Sequence, residues 1–163
     1  YNYPEWSFGL IGSFRLGSNK NENFYAKSII KKFSSIGPQA NFYGFKDHEF
    51  VQEKMRSASI IIIPSIWQEP FGLVVAEAMS NGAAVIASKV GGIPEILKDN
   101  GILIENLNSK NVEKVLLDLI KNEKKRKLLQ RKSWKNFDFS STCSSKKLDE
   151  FRKLIIQNHF KLN

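Results

Sequence analysis

Short apolar runs alternate with amphipathic helical patterns along this sequence, and that alternation constrains the fold more than any other feature. Runs such as SIIIIP and AAVIAS are rich in β-branched residues or alanine and end in Pro or Ser, which is typical of short strands buried on both faces. The segments between them carry apolar residues at a spacing near 3.6. The order is typical of βαβ units and predicts an α/β protein with a parallel sheet.

Five strands and four helical segments are predicted before residue 109. The strands are expected at Trp6–Gly12, Ala40–Phe45, Ser59–Pro64, Ala83–Ser88 and Gly101–Glu105. The helices are expected at Asn21–Ile36, Asp47–Ser57 and Gly72–Asn81, with a shorter turn in IPEIL after Gly92. We therefore expect a Rossmann-like, three-layer α/β/α arrangement around a parallel sheet of about five strands.

From Ser109 onward the pattern is helical only. The stretch Asn136–Ser145 is rich in serine and is expected to be a loop or a helix boundary. A last helix is predicted at Lys146–Asn158. The chain is accordingly divided into a Rossmann-like domain at 1–135 and a C-terminal helical extension at 136–163 that packs on it.

The net charge of +9 lies entirely in the C-terminal third. Residues 1–109 hold 10 basic and 10 acidic side chains, whereas residues 110–163 hold 15 basic and 6 acidic ones. A basic groove running across the fold is therefore not expected, and nucleic acid is not expected as a partner.

The densest basic run is Lys121–Lys135, in which Leu128, Leu129 and Trp134 are interleaved with lysines and arginines. A solvated helix face is one interpretation of this run. Binding to an anionic membrane surface is the other, and it would place the protein peripherally at the inner face of a membrane.

Several classes of protein are excluded by cysteine content and by the length of apolar runs. A single cysteine, Cys143, rules out a disulfide framework and a Cys-based zinc site. The longest apolar run, Ile60–Ile63, is too short to span a bilayer. The first residues lack the pattern of a signal peptide, so a cytoplasmic location is expected. No GxGxxG motif opens a helix after a strand, which disfavours a NAD-binding domain, and no His-rich or Asp-rich cluster suggests a metal.

The segment Pro64–Gly92 carries the residues best suited to chemistry. A strand ends at Pro64, a short loop follows, and a helix begins after Gly72. N–H groups at the start of a helix are unpaired and carry partial positive charge, and a glycine lets an anion approach them closely. The stretch Gly72-Leu73-Val74 therefore suits a diphosphate.

Two carboxylates lie in this segment. The helix after Gly72 is apolar nearly all round, so it is expected to be buried, and Glu77 is its only charge. A buried carboxylate needs donors, which a sugar diol, a lysine or loop amides elsewhere in the fold can supply. Glu69 precedes it in the loop, either at the mouth of the sheet, where α/β proteins bind ligands, or simply exposed to solvent.

The run EPFGLVVAE, with seven residues between Glu69 and Glu77, resembles the EX7E motif of retaining glycosyltransferases of the GT-B type, family 4. The similarity is strongest over SIIIIPSIWQEPFGLVVAEAMSNGAAVIASKVGGIPEI and covers roughly residues 3–130. It implies one half of a GT-B fold, the domain that binds a UDP-, GDP- or ADP-linked sugar without a metal. The full enzyme would transfer a hexose to a glycan or lipid-linked acceptor. The N-terminal acceptor domain is missing from these 163 residues, so the isolated chain is expected to be inactive.

The resemblance also implies roles for particular residues. Glu77 matches the glutamate that binds the ribose, and Glu69 matches the catalytic glutamate that contacts the transferred sugar. Backbone amides in one stretch would reach the sugar and the diphosphate, namely those of Phe71, Gly72, Leu73 and Val74. Tyr43 and Gly44 lie where the family places the base. Gly91, followed by Gly92, matches a second turn near the donor or only shapes a tight loop.

Two alignments compete for the basic pair that grips the diphosphate in this family. Arg15 and Lys20 are that pair if the chain begins with the family's first strand. If YPEWSFGLIGS matches a later strand instead, the pair lies upstream of Tyr1 and the chain is a fragment. Other functions remain as alternatives: a nucleotide-sugar epimerase or a phosphorylase on the same scaffold, and a basic module that binds membranes or nucleic acid.

Overall fold

The computed structural model of the protein describes residues 3–12 and 20–161. Its five strands occupy the predicted segments: β1 at Phe8–Ile11, β2 at Ala40–Gly44, β3 at Ile60–Ile63, β4 at Ala84–Ser88 and β5 at Ile102–Ile104. All pairings between them are parallel, which confirms the βαβ interpretation of the sequence.

Helices follow each strand in turn and then continue alone. They are α1 at Lys20–Ser35, α2 at His48–Ser57, α3 at Leu73–Ser80, α4 at Ile93–Leu97, α5 at Ser109–Lys121, α6 at Glu123–Lys135 and α7 at Ser141–Lys161. The last helix begins earlier than the predicted Lys146. Ser140 accounts for the difference, because its Oγ accepts a hydrogen bond from the Cys143 N–H at 3.2 Å and its carbonyl accepts one from the Ser144 N–H at 2.9 Å.

The chain divides into two compact units, Tyr1–Glu53 and Lys54–Asn163. Unit 1 contains the ladder β1–β2, with Phe8 opposite Ala40, and unit 2 contains the ladder β3–β4–β5. The described strands thus form two ladders, whereas the sequence predicted one sheet of about five strands. Alternation of strands and helices predicts the number and direction of strands, but it does not determine which neighbours pair.

Unit 2 has three layers, as predicted for an α/β/α protein. Successive side chains of a strand point to opposite faces, so Val85 and Ala87 of β4 pack with α3 and α4, whereas Ala84 and Ile86 pack with α5 and α6. All five residues of β4 are buried, Ser88 among them. The central strand of this ladder is therefore covered on both faces, which explains why its sequence is continuously apolar up to that serine.

Helix α3 ends in a Schellman motif at Gly82, which has φ +71°. The Gly82 N–H donates to the Met79 carbonyl at 2.9 Å, and the Ala83 N–H donates to the Ala78 carbonyl at 3.3 Å. These bonds satisfy carbonyls of the last turn of the helix and turn the chain directly into β4.

A single residue, Asn122, joins α5 to α6. Its N–H donates to the Asp118 carbonyl at 2.9 Å and so caps the end of α5. Its side-chain oxygen accepts from the Lys125 N–H at 3.0 Å, which caps the start of α6. The guanidinium of Arg126 then reaches back to the carbonyls of Leu119 and Ile120 at 2.7 and 3.2 Å.

The C-terminal segment 136–163 contacts the rest of unit 2 mainly through its first residues. Phe137 and Phe139 pack against the cluster formed by α3, α4 and β4. Apolar side chains of α7 are exposed at several positions, namely Leu148, Phe151, Leu154, Ile155 and Ile156. The division at residue 135, which coincides with the end of α6, stays a prediction. Among the described helices, none combines the length and the apolar character needed to cross a bilayer.

Candidate functional site

The predicted site residues of unit 2 gather at the carboxyl ends of two adjacent parallel strands. The loop that carries Glu69, Phe71 and Gly72 follows β3, and the turn that carries Gly91 follows β4. Because β3 and β4 pair in parallel, their carboxyl ends share one edge of the sheet, which is where α/β proteins bind ligands.

Helix α3 presents an exposed face at this edge, contrary to the expectation that the whole helix is buried. Leu73 is 62% exposed, Val74 is 48% exposed, and Glu77 lies one turn further on the same face, partly exposed. The opposite face is buried and comprises Val75, Ala76, Ala78 and Met79. The apolar composition of α3 predicted that all of its faces are buried. The first turn of this eight-residue helix instead lies beyond the core, at the edge of the sheet.

The N-terminus of α3 is open. Gly72, the N-cap residue, has φ +88° and ψ +49° and gives no side-chain cap. Its carbonyl accepts from the Val75 N–H at 2.9 Å, whereas the N–H groups of Leu73 and Val74 have no hydrogen-bond partner in the described part of the chain. Two backbone donors and the positive end of the helix dipole therefore face outward beside Glu77.

Glu69 is held in place by two neighbours in its own loop. Its Oε1 accepts from the indole Nε1 of Trp67 at 2.8 Å and from the hydroxyl of Ser65 at 3.3 Å. The Ser65 carbonyl in turn accepts from the buried hydroxyl of Ser88 at 2.6 Å. Ser88 thus connects the end of β4 to the loop that orients Glu69.

The hydrogen bonds through which Ser65, Trp67 and Ser88 support the Glu69 loop were not predicted from the sequence. A signal for Ser88 was present, since it is the polar residue that closes an otherwise apolar strand. The hydrogen bonds of Ser65 and Trp67 depend on the conformation of the loop, and no pattern in the sequence indicates them.

The turn after β4 lies directly against the Glu69 loop. The Gly91 N–H donates to Oε1 of Gln68 at 2.7 Å, and the Gly92 N–H donates to the Glu69 carbonyl at 2.7 Å. A Cβ added at Gly91, where φ is +51°, would lie 2.1 Å from the Glu69 carbonyl oxygen. The second glycine turn therefore shapes a tight loop that fixes the backbone of Glu69; its role toward a donor stays a prediction.

The remaining predicted residues lie elsewhere. Tyr43 and Gly44 end β2 in unit 1, where the Tyr43 ring packs edge-on against Phe50 with centroids 5.3 Å apart. Lys20 is the first residue of α1, and its side chain is not described. Arg15 lies outside the described residues. No group of three His, Cys, Asp or Glu side chains able to hold a metal ion occurs within the described ranges.

Phe71 connects the candidate site to the segment after α6. Its ring packs edge-on against Phe139 with centroids 5.8 Å apart. The neighbouring carboxylate of Asp138 pairs with Lys147 of α7 at 2.7 Å and with Lys98 at 3.8 Å. These residues line one side of a cavity of about 220 Å³ beside Phe71. The hydrogen bond from Lys147 lowers the pKa of Asp138 below its usual 3.8, and the positive charges of Lys147 and Lys98 add to that effect against the opposing effect of burial.

We expect Asp138→Asn to lower the free energy of unfolding at neutral pH, by no more than about 1 kcal/mol because the ion pair is partly exposed and screened. A carboxyl whose folded pKa is depressed contributes stability above its unfolded pKa, and that contribution is lost as pH falls through the folded value. The difference between the wild type and the variant should therefore shrink below pH 3.8 in urea unfolding. Asp149→Asn, which removes an exposed carboxylate on α7, is the control. If the difference in unfolding free energy between the wild type and Asp138→Asn is the same at neutral pH and below pH 3.8, the lowered pKa of Asp138 is contradicted.

Comparison with known proteins identifies relatives over most of the chain. The sequence model of the family described as glycosyl transferases group 1 matches residues 1–135. An uncharacterized glycosyltransferase of Methanocaldococcus jannaschii is 36% identical over 127 residues, which are 77% of this chain and 34% of that protein. The chain thus spans about a third of the length of this relative.

Two solved structures share the fold. Anabaena Alr3699/HepE in complex with UDP-glucose matches with a TM-score of 0.74 at 22% identity, over 92% of this chain and 42% of that chain. The C-terminal domain of a glycosyl transferase group 1 family protein (LpcC) from Francisella tularensis matches with a TM-score of 0.66 at 24% identity, over 80% of this chain and 83% of that chain. The α/β fold predicted from the sequence is thereby confirmed.

Proposed function

Since the chain belongs to the glycosyl transferases group 1 family, we propose that it is the nucleotide-sugar donor-binding half of a retaining GT-B glycosyltransferase of family 4. The full enzyme would transfer a hexose to a glycan or lipid-linked acceptor bound by a second domain outside these residues. The observation that carries the proposal is the exposed face of α3, where Glu77 lies beside the open N–H groups of Leu73 and Val74.

The start of α3 suits the diphosphate of the donor. The N–H groups of Leu73 and Val74 and the helix dipole attract an anion, and Gly72 provides no side-chain cap that would compete for these donors. In a transfer reaction the diphosphate is the leaving group, and the same donors would stabilise the charge that develops on it.

Glu77 suits the ribose of the same ligand. It lies four residues beyond Leu73, which is about 6 Å along the helix axis, so one ligand can reach both the N-terminus and the carboxylate. A carboxylate accepts hydrogen bonds from both hydroxyls of a diol. The backbone carbonyl of Glu77 accepts hydrogen bonds from Nδ2 of Asn81 at 2.9 Å and from the hydroxyl of Ser80 at 2.8 Å. These bonds help to fix the helical turn that carries the Glu77 carboxylate.

Glu69 suits the transferred sugar. Trp67 and Ser65 both donate to Oε1, and Oε2 makes no hydrogen bond within the described residues. The carboxylate is therefore oriented by one oxygen while the other is available to sugar hydroxyls. The close contact of Gly91 with the Glu69 backbone keeps this orientation rigid, which favours precise positioning of a reacting group.

The proposal is tested by thermal unfolding with UDP, GDP, ADP and their sugars, starting with UDP-glucose because a protein of the same fold binds it. A ligand at about 100 times its Kd should add roughly 2.7 kcal/mol and raise the Tm by several degrees. Glu77→Ala removes charge-assisted hydrogen bonds worth about 1.5–3 kcal/mol, so the Kd should rise by about 10- to 150-fold.

Glu113→Ala, which removes an exposed carboxylate on α5, is the matched control and should bind the nucleotide like the wild type. A nucleotide that raises the Tm of the wild type more than that of Glu77→Ala supports the proposed site. An unchanged Tm with every nucleotide, or an equal Kd for wild type and Glu77→Ala, would overturn it.

A further inference from the structure

The outward side of α6 carries a stripe of cations around a leucine. Successive residues of an α-helix are turned by 100° about its axis, and on this geometry the four residues of the stripe lie within an arc of about 60°. This arc is on the side of the helix away from the buried Leu129 and Ser133. We refer to this set as the outer stripe: Lys124, Leu128, Arg131 and Lys135. It extends for about 16 Å along the helix axis.

The cations of the outer stripe differ from the other lysines of α6. Those on its flanks are paired with carboxylates, in the pairs Lys125–Asp118, Lys127–Glu123 and Lys132–Asp99. The three cations of the outer stripe form no ion pair with any described residue. Their charge is therefore available to an external anion, although acidic side chains lie close by in sequence.

Two apolar side chains are exposed beside these cations. Leu128 is 55% exposed within the outer stripe, and Trp134 is 67% exposed on the same helix, about 60° further round than Arg131. One side of the indole lies near Gly82, where an added Cβ would be 3.9 Å from Cε3 of Trp134. Most of the Trp134 side chain is exposed to solvent on the outside of the helix.

We propose that the outer stripe and Trp134 form a surface that binds membranes containing anionic lipid. Unpaired cations attract anionic headgroups, and an exposed leucine and tryptophan gain free energy by entering the boundary between headgroups and acyl chains. A nucleic-acid backbone would use the cations but would leave Leu128 exposed to water. The combination of charge and apolar exposure therefore favours a membrane. This surface is separate from the α3 site, so its test does not depend on donor binding.

The test is co-sedimentation of the full chain with vesicles of phosphatidylcholine, alone or mixed with phosphatidylglycerol. Each cation near an anionic surface contributes about fivefold to partitioning, so the variant K124Q/R131Q/K135Q should partition about 100-fold less. The control K110Q/K114Q/K153Q removes the same charge from exposed positions on α5 and α7 and should bind nearly as the wild type. Leu128→Ser keeps the charge and should also weaken binding.

Binding that requires phosphatidylglycerol, falls with salt, and is lost in the outer-stripe variant but retained in the control supports the proposal. Equal loss in the two triple variants would overturn it, because net charge would then be sufficient. Unchanged binding of Leu128→Ser would overturn the apolar part. Binding to duplex DNA or RNA in the absence of vesicle binding would assign the surface to nucleic acid instead.

Discussion

Gly91→Ala is expected to destabilise unit 2 by about 3–4 kcal/mol and to lower the Tm on the order of 10 °C. The added methyl group would lie 2.1 Å from the carbonyl oxygen and 2.6 Å from the nitrogen of Glu69, and both atoms belong to the backbone. A flexible side chain can rotate away from such a contact, but a backbone atom can move only if the loop shifts. Residue 91 also has φ +51°, which disfavours alanine independently of the contact.

The control for this prediction is Gly37→Ala. Gly37 has φ +97°, but a Cβ added there meets nothing within 4 Å. Only the backbone conformation is then penalised, at about 1–2 kcal/mol. Urea unfolding of the two variants separates the cost of close approach from the cost of a positive φ. Equal losses would show that the contact between the Gly91 turn and the Glu69 loop is not tight in solution.

Met79→Ala is expected to cost about 2–5 kcal/mol of unfolding free energy. Met79 is fully buried on the inner face of α3, and truncation leaves a cavity among residues that also position α4. Leu73→Ala, on the outer face of the same helix, should change stability by no more than about 0.5 kcal/mol. Met79→Leu nearly conserves volume and should cost less than about 1.5 kcal/mol. Chemical denaturation measures all three, and similar losses at positions 73 and 79 would contradict the two-faced description of α3.

Elements defined by local patterns were predictable from the sequence. The continuous apolar run of β4, the Schellman glycine at 82 and the proline at the start of α4 each leave a signal within a few residues. The early start of α7 was missed because serines favour loops and helix caps alike, and the choice at Ser140 depends on whether its hydroxyl finds an N–H three residues on.

Features that depend on tertiary contacts were not predictable. The apolar composition of α3 predicted that every face of the helix is buried. Leu73 and Val74 are nevertheless exposed, because the helix starts beyond the edge of the core. The sequence indicated that Gly91 and Gly92 shape a turn, but not that the turn meets the backbone of Glu69. The pairing of five strands into two ladders is likewise decided by contacts between segments distant in sequence.

The junction at Asn122 bears on the susceptibility of the C-terminal third to proteolysis. Lysines and arginines lie on both sides of it, which in an ordinary linker would offer several sites for a protease of tryptic specificity. A protease must bind an extended stretch of chain in its cleft. The junction at Asn122 contains no extended stretch, because the Asn122 N–H donates a hydrogen bond to α5 and the Asn122 side chain accepts one from α6. Cleavage here therefore requires unwinding of α5 or α6, so the basic character of the segment does not make it fragile.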